Sequence, residues 1–245
     1  MISKTYTKYI QSLQHKKPRD AGNHFIAEGT KVVPELLHSG KFECEVLLGR
    51  QAWLNENEGL IRENYKGPLT IIEDHELEKI SALTTPNQVL GVFKKAATQA
   101  PVVTGKLLLA LESVQDPGNL GTIIRIADWF GITDIVCSNN SVDQYNPKVV
   151  QSTMGSLGRV NVFYTELENW LQHCKLPVYA AALQGTNIRD LGRLKEGVII
   201  IGNESKGISE GVMTMAGEKI TIPKNGNAES LNAAIATGII LSHVV

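Results

Sequence analysis

The chain has 245 residues, of which 42% are hydrophobic, and its formal net charge at pH 7 is −1. This composition is typical of a folded protein of one or two domains and excludes a disordered chain. No apolar run has the length of a membrane-spanning helix, and the N-terminal stretch MISKTYTKYIQSLQ lacks the apolar core of a signal peptide.

Cysteine usage and charge narrow the class of protein further. Cys44, Cys137 and Cys174 are far apart, and no Cys/His spacing fits a zinc site, so we expect a cytoplasmic protein without a metal. Residues 1–31 carry six basic residues against two acidic ones, whereas residues 55–78 are acidic. The basic excess fits either an RNA-binding surface or a solvated helix face, and charge alone favours the second.

The first 95 residues alternate between helical and strand patterns, which is typical of a small α/β domain. Ser39 and Gly40 are placed to end one of the helices. The patterns predict helices over 4–14, 30–40 and 73–83, and strands over 25–29, 45–49, 69–72 and 89–93.

A segment rich in small residues, Pro and Gly separates this half from the next, and we interpret residues 96–105 as a linker. The second half, residues 106–245, also alternates strands and helices, which predicts a parallel sheet. The helix that ends at Gly131 presents Leu120, Ile123, Ile126, Ala127 and Phe130 on one face. Strands are predicted over 106–112, 134–138, 160–164, 177–183, 197–202 and 219–223, and further helices over 147–158, 167–174 and 230–245.

Three segments of the second half place glycine or small polar residues where a buried strand ends. They are QDPGNLGTIIR, IIIGNESKGIS and ITIPKNGNAESLN. Ligands of open α/β sheets bind beyond the carboxyl ends of the strands, so three such loops predict one composite site. Histidine, cysteine and an acidic pair are missing from these loops, which argues against Ser-His catalysis, glycosidase chemistry and a metal site.

Each polar residue of these loops also has an ordinary structural interpretation. Asn119 fits a helix N-cap, Arg125 fits an exposed pair with Asp128, and Ser230 and Asn232 fit the start of the last helix. Glu204 fits a surface carboxylate. The set is harder to explain in this way, because the polar loop before the last helix is long for a simple connection.

In these segments the sequence resembles the SpoU (TrmH-like) branch of the SPOUT superfamily of RNA methyltransferases. The first signature, N-x-G-x-x-x-R, matches Asn119, Gly121 and Arg125. The second, G-x-E-x-x-G-[LI]-S, matches residues 202–209, and the third joins Ile222-Pro223 through a polar loop to residues 230–232. FIAEGTKVV and LTTPNQVLGV in the first half are similar to the substrate domain that many members carry.

The resemblance implies a ribose 2′-O-methyltransferase that uses S-adenosyl-L-methionine and acts on structured RNA, with 23S ribosomal RNA favoured over transfer RNA. It implies an N-terminal ribosomal-protein-L30e-like α/β domain (1–95) and a C-terminal parallel-sheet catalytic domain (106–245) with a trefoil knot. It also implies a homodimer through the catalytic domain, and neither a DNA nor a membrane partner.

The resemblance also assigns site residues. Those assigned to catalysis are Arg125, Asn119, Glu204, Ser230 and Asn232. Those assigned to cofactor binding are Ala182, Leu183, Gly202, Asn203, Glu204, Gly207, Ile222, Pro223, Leu231 and Asn232, and the strand-end residues 181–183 border the cofactor.

Three alternatives stay open. The first is an RNA-binding protein with an inactive transferase domain. The second is a nucleotide-dependent oxidoreductase, which the absence of G-x-G-x-x-G disfavours. The third, methylation of a base nitrogen, fits the three signatures less well.

Overall fold

The computed structural model describes residues 2–245, and its contacts divide them into two compact units. Unit 1 contains the residues up to Ala97 together with Asp143–Arg159, and unit 2 contains Thr98–Val142 and Val160–Val245. The domain boundaries given above stay a prediction. The assignment of Asp143–Arg159 to unit 1 is a feature that linear order along the chain does not reveal.

Unit 1 is built on a four-stranded mixed sheet. The strands are β1 (His24–Glu28), β2 (Cys44–Gly49), β3 (Leu69–Ile71) and β4 (Val89–Lys94). Their order is β1-β4-β2-β3; β4 is antiparallel to both of its neighbours, and β2 and β3 are parallel. The four predicted strands are therefore confirmed.

Within residues 2–245, seven α-helices belong to unit 1. The sequence pattern predicts four of them and misses the short helices of residues 16–22 and 51–64. Gly40 ends the third helix in the left-handed conformation at φ +63°, as its position after Ser39 predicts. The helices of unit 1 are α1 (Lys4–Ser12), α2 (Lys16–Gly22), α3 (Val32–Ser39), α4 (Gln51–Glu56), α5 (Glu58–Asn64), α6 (Asp74–Ile80) and, from the segment Asp143–Arg159, α8 (Pro147–Ser152).

A buried ion pair fastens the distant segment to the rest of unit 1. The Arg19 side chain is only 2% exposed, and its Nη2 donates to Asp143 Oδ2 at 2.7 Å. Its Nη1 donates to the carbonyl oxygens of Leu13 and Gln14, at 3.0 Å each. Arg19 is one of the six basic residues of the N-terminal excess, but its charge is neutralised inside the fold and is not available to RNA.

Unit 2 is built on a six-stranded, entirely parallel sheet, which confirms the predicted arrangement. Its strands follow the order β10-β8-β9-β5-β6-β7. All residues of the two neighbouring strands β5 and β9 except Leu107 are buried, which explains their continuous apolar sequences. The strands are β5 (Leu107–Leu111), β6 (Asp134–Ser138), β7 (Asn161–Thr165), β8 (Val178–Asn187), β9 (Gly197–Ile201) and β10 (Glu218–Thr221).

The helices of unit 2 correct several details of the prediction. The sequence reading missed the short helix at 210–214. The helix after β5 buries Ile124, whereas Ile126 and Phe130 are only partly buried. The last helix begins at Ala233 rather than 230, because Asn232 caps it. The helices are α7 (Pro117–Trp129), α9 (Leu167–His173), α10 (Glu210–Thr214) and α11 (Ala233–Val244).

The N-cap interpretation of Asn119 is wrong. Asp116 is the N-cap of α7, and its side chain accepts a hydrogen bond from the Asn119 backbone N at 2.8 Å. The Asn119 side chain therefore does not cap the helix and can serve the site instead. Across residues 2–245, no helix combines the length and apolar character needed to cross a bilayer.

We expect the Asp143→Ala variant to lower the free energy of unfolding by about 3 kcal/mol, because it leaves the Arg19 charge buried without its partner. The matched control is Asp74→Ala, which removes an ion pair with Arg50 whose side chains are 47% and 62% exposed, and it should cost about 1 kcal/mol or less. Urea denaturation measures both. An equal decrease in the free energy of unfolding of the two variants would contradict the structural role of the buried Arg19–Asp143 pair.

Candidate functional site

An open cavity of about 770 Å³ in unit 2 lies where β9 and β10 end, beside the middle of β8. Its walls come from the end of β9 and the loop after it, from residues 181–183, and from the polar loop between β10 and α11. The sequence places residues 181–183 at a strand end, but β8 continues to Asn187, and these residues follow the last one that pairs with β9, Ala180. The cavity therefore joins the second and third signature segments. Nine of the ten residues assigned to cofactor binding line it: Ala182, Leu183, Gly202, Asn203, Glu204, Gly207, Ile222, Pro223 and Leu231.

Asn232, the tenth, is not among the lining residues but belongs to a line of side chains that joins all three signatures. Its Nδ2 donates to Asn119 Oδ1 at 2.8 Å, and Asn119 Nδ2 donates to Glu204 Oε1 at 2.7 Å. Asn232 Oδ1 also accepts from the backbone N of Ala234 and Ile235, so the same side chain caps α11. Three residues from distant parts of the sequence thus form one hydrogen-bonded line.

The loop of the second signature is held in a tight, fixed shape. Asn203 and Gly207 exchange two backbone hydrogen bonds of 3.0 and 2.9 Å, and Gly207 has φ +69°. A Cβ on Gly202 would lie 2.4 Å from the Gly207 carbonyl carbon, so only glycine fits there. At the C-terminal end of the second signature, the backbone N of Ser209 donates to the carboxylate of the buried Glu112 at 2.8 Å.

The structure places Ser230 and Arg125 differently from these residues. Ser230 lines the cavity on the exposed loop before α11, and Asn232, not Ser230, caps that helix. Arg125 is exposed on α7 and is not among the lining residues. It lies six residues after Asn119, or about 9 Å along the helix axis.

The walls of the cavity are apolar and its rim is charged. Leu183 and Leu231 are 76% and 47% exposed, and both face the cavity, so they present apolar surface to a ligand. Lys206, Lys224 and the carboxylate of Glu229 also belong to the lining. Such a surface suits a ligand that combines a flat apolar part with charged groups.

Sequence reasoning missed part of this site. Met213 lines the cavity from α10, a helix too short for the pattern to reveal. Glu112, which holds Ser209 N, was also missed. A carboxylate directly after the apolar strand β5 was the available signal. No group of three or more His, Cys, Asp or Glu side chains within residues 2–245 is placed to hold a metal ion.

The decisive observation comes from comparison with known proteins. A model of the SpoU rRNA Methylase family matches residues 106–242, the part of the chain that carries the three signatures. The chain belongs to the SpoU rRNA Methylase family. A second model, the MRM3-like substrate binding domain, matches residues 4–91.

Individual members are similar along nearly the whole chain. The 23S rRNA (guanosine(2553)-2'-O)-methyltransferase RlmP of Bacillus subtilis is 28% identical over 96% of this chain and 93% of its own length. A TrmH-family structure from Porphyromonas gingivalis has a TM-score of 0.89 at 36% identity and covers 99% and 98% of the two chains. The AdoMet-bound rRNA methyltransferase of Sinorhizobium meliloti has a TM-score of 0.86 at 31% identity, with coverage of 99% and 95%.

We expect Gly202→Ala to lower the free energy of unfolding by roughly 1–3 kcal/mol, because the new methyl group must displace the Gly207–Ile208 backbone. The control is Gly226→Ala, since a Cβ there meets no atom within 4 Å. Chemical denaturation of the two variants, with amide exchange of residues 203–207, gives the comparison. A Gly202→Ala protein as stable as the control would show that the loop tolerates the shift.

Proposed function

We propose that this protein transfers a methyl group from S-adenosyl-L-methionine to a ribose 2′-hydroxyl of structured ribosomal RNA, with 23S rRNA as the substrate. The observation that carries the proposal is the hydrogen-bonded line Asn232–Asn119–Glu204, which ties the three family signatures to one cavity. The names of its relatives support the same reaction, since RlmP is a 23S rRNA 2′-O-methyltransferase.

The residues of the cavity fit this cofactor. Leu183 and Leu231 offer exposed apolar surface for the purine ring, and the volume of about 770 Å³ is within the range of small-molecule sites. Lys206 and Lys224 in the lining suit its carboxylate, and Glu204 and Glu229 suit its positive groups. In our proposal, the backbone at Gly202, Ile222 and Leu231 holds the cofactor, with Ala182, Asn203, Gly207 and Pro223 around it.

When bound, S-adenosylmethionine supplies a methyl group that is already electrophilic because it is attached to a sulfonium. The protein then has to position the 2′-hydroxyl in line and help to remove its proton. We assign the positioning to the Arg125 guanidinium, which stays protonated and therefore suits a phosphate clamp better than a base. A neighbouring RNA phosphate oxygen then accepts the proton, while Asn119, Glu204, Ser230 and Asn232 order the loops.

Unit 1 supplies RNA binding in this proposal. Its match to a substrate-binding model supports the role, and its mixed sheet with helices is compatible with an L30e-like domain. The exposed lysines Lys4, Lys8, Lys16, Lys17 and Lys31 remain available to phosphate, although Arg19 is not. Transfer RNA is the second candidate substrate, and an inactive RNA-binding protein is the second candidate function.

Four further features belong to the proposal. The catalytic domain covers 106–245 and the substrate domain 1–95, and the protein is cytoplasmic. The C-terminal part of the catalytic domain is threaded as a trefoil knot, with which the β10-β8-β9-β5-β6-β7 order is compatible. The protein is a homodimer; Ile235, 56% exposed on the almost wholly apolar α11, supports a second copy covering that face.

Methyl transfer to RNA from cells that lack the gene tests the reaction. The protein is incubated with this RNA and methyl-labelled S-adenosylmethionine, the RNA classes are separated, and each is digested to nucleosides. We expect label in a 2′-O-methyl nucleoside of the large ribosomal RNA. Cofactor binding without label in any RNA would instead favour the inactive RNA-binding protein, and label in the small RNA would favour transfer RNA.

We expect Arg125→Ala to reduce methyl transfer by at least about 100-fold while cofactor affinity stays within about twofold, because Arg125 does not line the cavity. Arg125→Lys keeps the charge but loses the bidentate geometry, so it should recover only part of the rate. Single-turnover transfer and calorimetric titration measure the two quantities. Normal turnover of Arg125→Ala would remove Arg125 from the mechanism.

The variants of Asn232 separate its cap from its contact with Asn119. Asn232→Ala removes both and should lower helix stability by about 1 kcal/mol as well as cofactor affinity and turnover. Asn232→Ser keeps a capping oxygen but lacks the amide donor, so the helix stays stable while cofactor affinity and turnover still fall. Thermal unfolding, titration and transfer rate are compared. An Asn232→Ser protein with full activity would leave capping as the sole role of Asn232.

A further inference from the structure

The loop between β10 and α11 contains the one Asn-Gly sequence of the chain, Asn225-Gly226. Both residues line the cavity, and both are exposed. Asparagine is among the thermally labile residues of proteins, and a following glycine, which has no Cβ, leaves its peptide nitrogen unhindered. The pair therefore combines a reactive side chain with a position in the proposed cofactor site.

The structure leaves this amide and the neighbouring backbone without restraint. Within residues 2–245, neither the Asn225 side chain nor the Gly226 N has a hydrogen-bond partner. A Cβ on Gly226 would meet no atom within 4 Å, so the peptide has room to turn toward the Asn225 carboxamide. By contrast, the amide nitrogens of Asn119, Asn203 and Asn232 each donate a hydrogen bond of 2.7 or 2.8 Å. The fold thus holds these three asparagines and leaves Asn225 free to react.

We propose that Asn225 deamidates spontaneously and that the product weakens cofactor binding. The Gly226 N bonds to Cγ of Asn225 and gives up its proton, the bond from Cγ to the amide nitrogen breaks, and ammonia leaves. Water then opens the resulting cyclic imide at either carbonyl carbon, which leaves aspartate or isoaspartate at this position. Water is the only co-reactant, and no atom is oxidised or reduced.

The deamidation places a new carboxylate in the wall of the cavity. This carboxylate is charged at neutral pH, because the ordinary pKa of aspartate is far lower. It directly follows Lys224, which the proposed function pairs with the carboxylate of S-adenosylmethionine, so it competes for that ammonium and repels the cofactor carboxylate. Isoaspartate also adds a carbon to the backbone of the loop that carries Leu231. The effect on the cofactor rests on the proposed function, whereas the deamidation itself does not.

Peptide mapping by mass spectrometry measures the deamidation in the full chain. The protein is kept at physiological temperature, sampled over days at several pH values, and scored at each asparagine for conversion of the amide to an acid. Asn225 should convert at least about tenfold faster than Asn227, which is exposed in the same loop but precedes alanine. The rate should rise with pH, because the attacking nitrogen must lose its proton, and Gly226→Ala should slow it. Equal rates at the two asparagines, or an unchanged rate in Gly226→Ala, would overturn the modification.

Calorimetric titration with S-adenosylmethionine tests the effect on the cofactor. Asn225→Asp has the sequence of one product and should lower cofactor affinity about fivefold, the loss expected when one exposed charge pair is weakened. The matched control is Asn227→Asp, which adds the same charge to the same loop at a residue outside the lining. Its affinity should stay within about twofold of the wild type, because solvent screens the more distant charge.

Ageing the protein connects the two measurements. Aged wild-type protein should lose cofactor affinity in proportion to its deamidated fraction, whereas aged Gly226→Ala should keep its initial affinity. Equal affinities of Asn225→Asp and Asn227→Asp would overturn the effect on the cofactor. Deamidation at Asn225 in a protein that binds no S-adenosylmethionine in any form would instead overturn the proposed function alone.

Discussion

The candidate site depends on two hydrogen bonds that join three side chains in a line. Asn232 donates to Asn119 at 2.8 Å, and Asn119 donates to Glu204 at 2.7 Å. Each of these residues follows a different strand, so the line fixes three loops at the same end of the sheet. The line also limits which residues can replace Asn119, because this side chain must donate one hydrogen bond and accept another. Only an amide side chain presents both groups at this length.

The supporting contacts show why the line can form. Asp116 caps α7 and leaves the Asn119 side chain for the site, and Asn232 caps α11 while its amide reaches Asn119. Gly202 allows the loop after β9 to fold back on Gly207, which brings Glu204 to the cavity. Helix capping and the site thus share the same residues, so a variant that alters catalysis at Asn232 also affects stability.

The reaction and the cofactor have different demands on this architecture. The cofactor needs a cavity with apolar walls, which Leu183 supplies from β8 and Leu231 from the loop before α11. The substrate needs an exposed positive surface, which Arg125 supplies from α7, outside the lining of that cavity. Separating the two allows affinity for the cofactor and affinity for RNA to change independently, as the Arg125 variants are designed to test.

The sequence by itself determined the parallel sheet of unit 2 and the three loops of the site, because buried strands leave continuous apolar runs and strand-end loops leave glycine and polar residues. It did not show that Asp116 rather than Asn119 caps α7, nor that Arg19 is buried against Asp143. Nor did it reveal that Trp129 is exposed, while Ile124 is buried in the same helix. The Arg19–Asp143 pair joins residues 124 positions apart, which only the tertiary structure brings together. The cap depends on the residue at which α7 begins, and the exposure of each side chain of α7 depends on what packs against that helix.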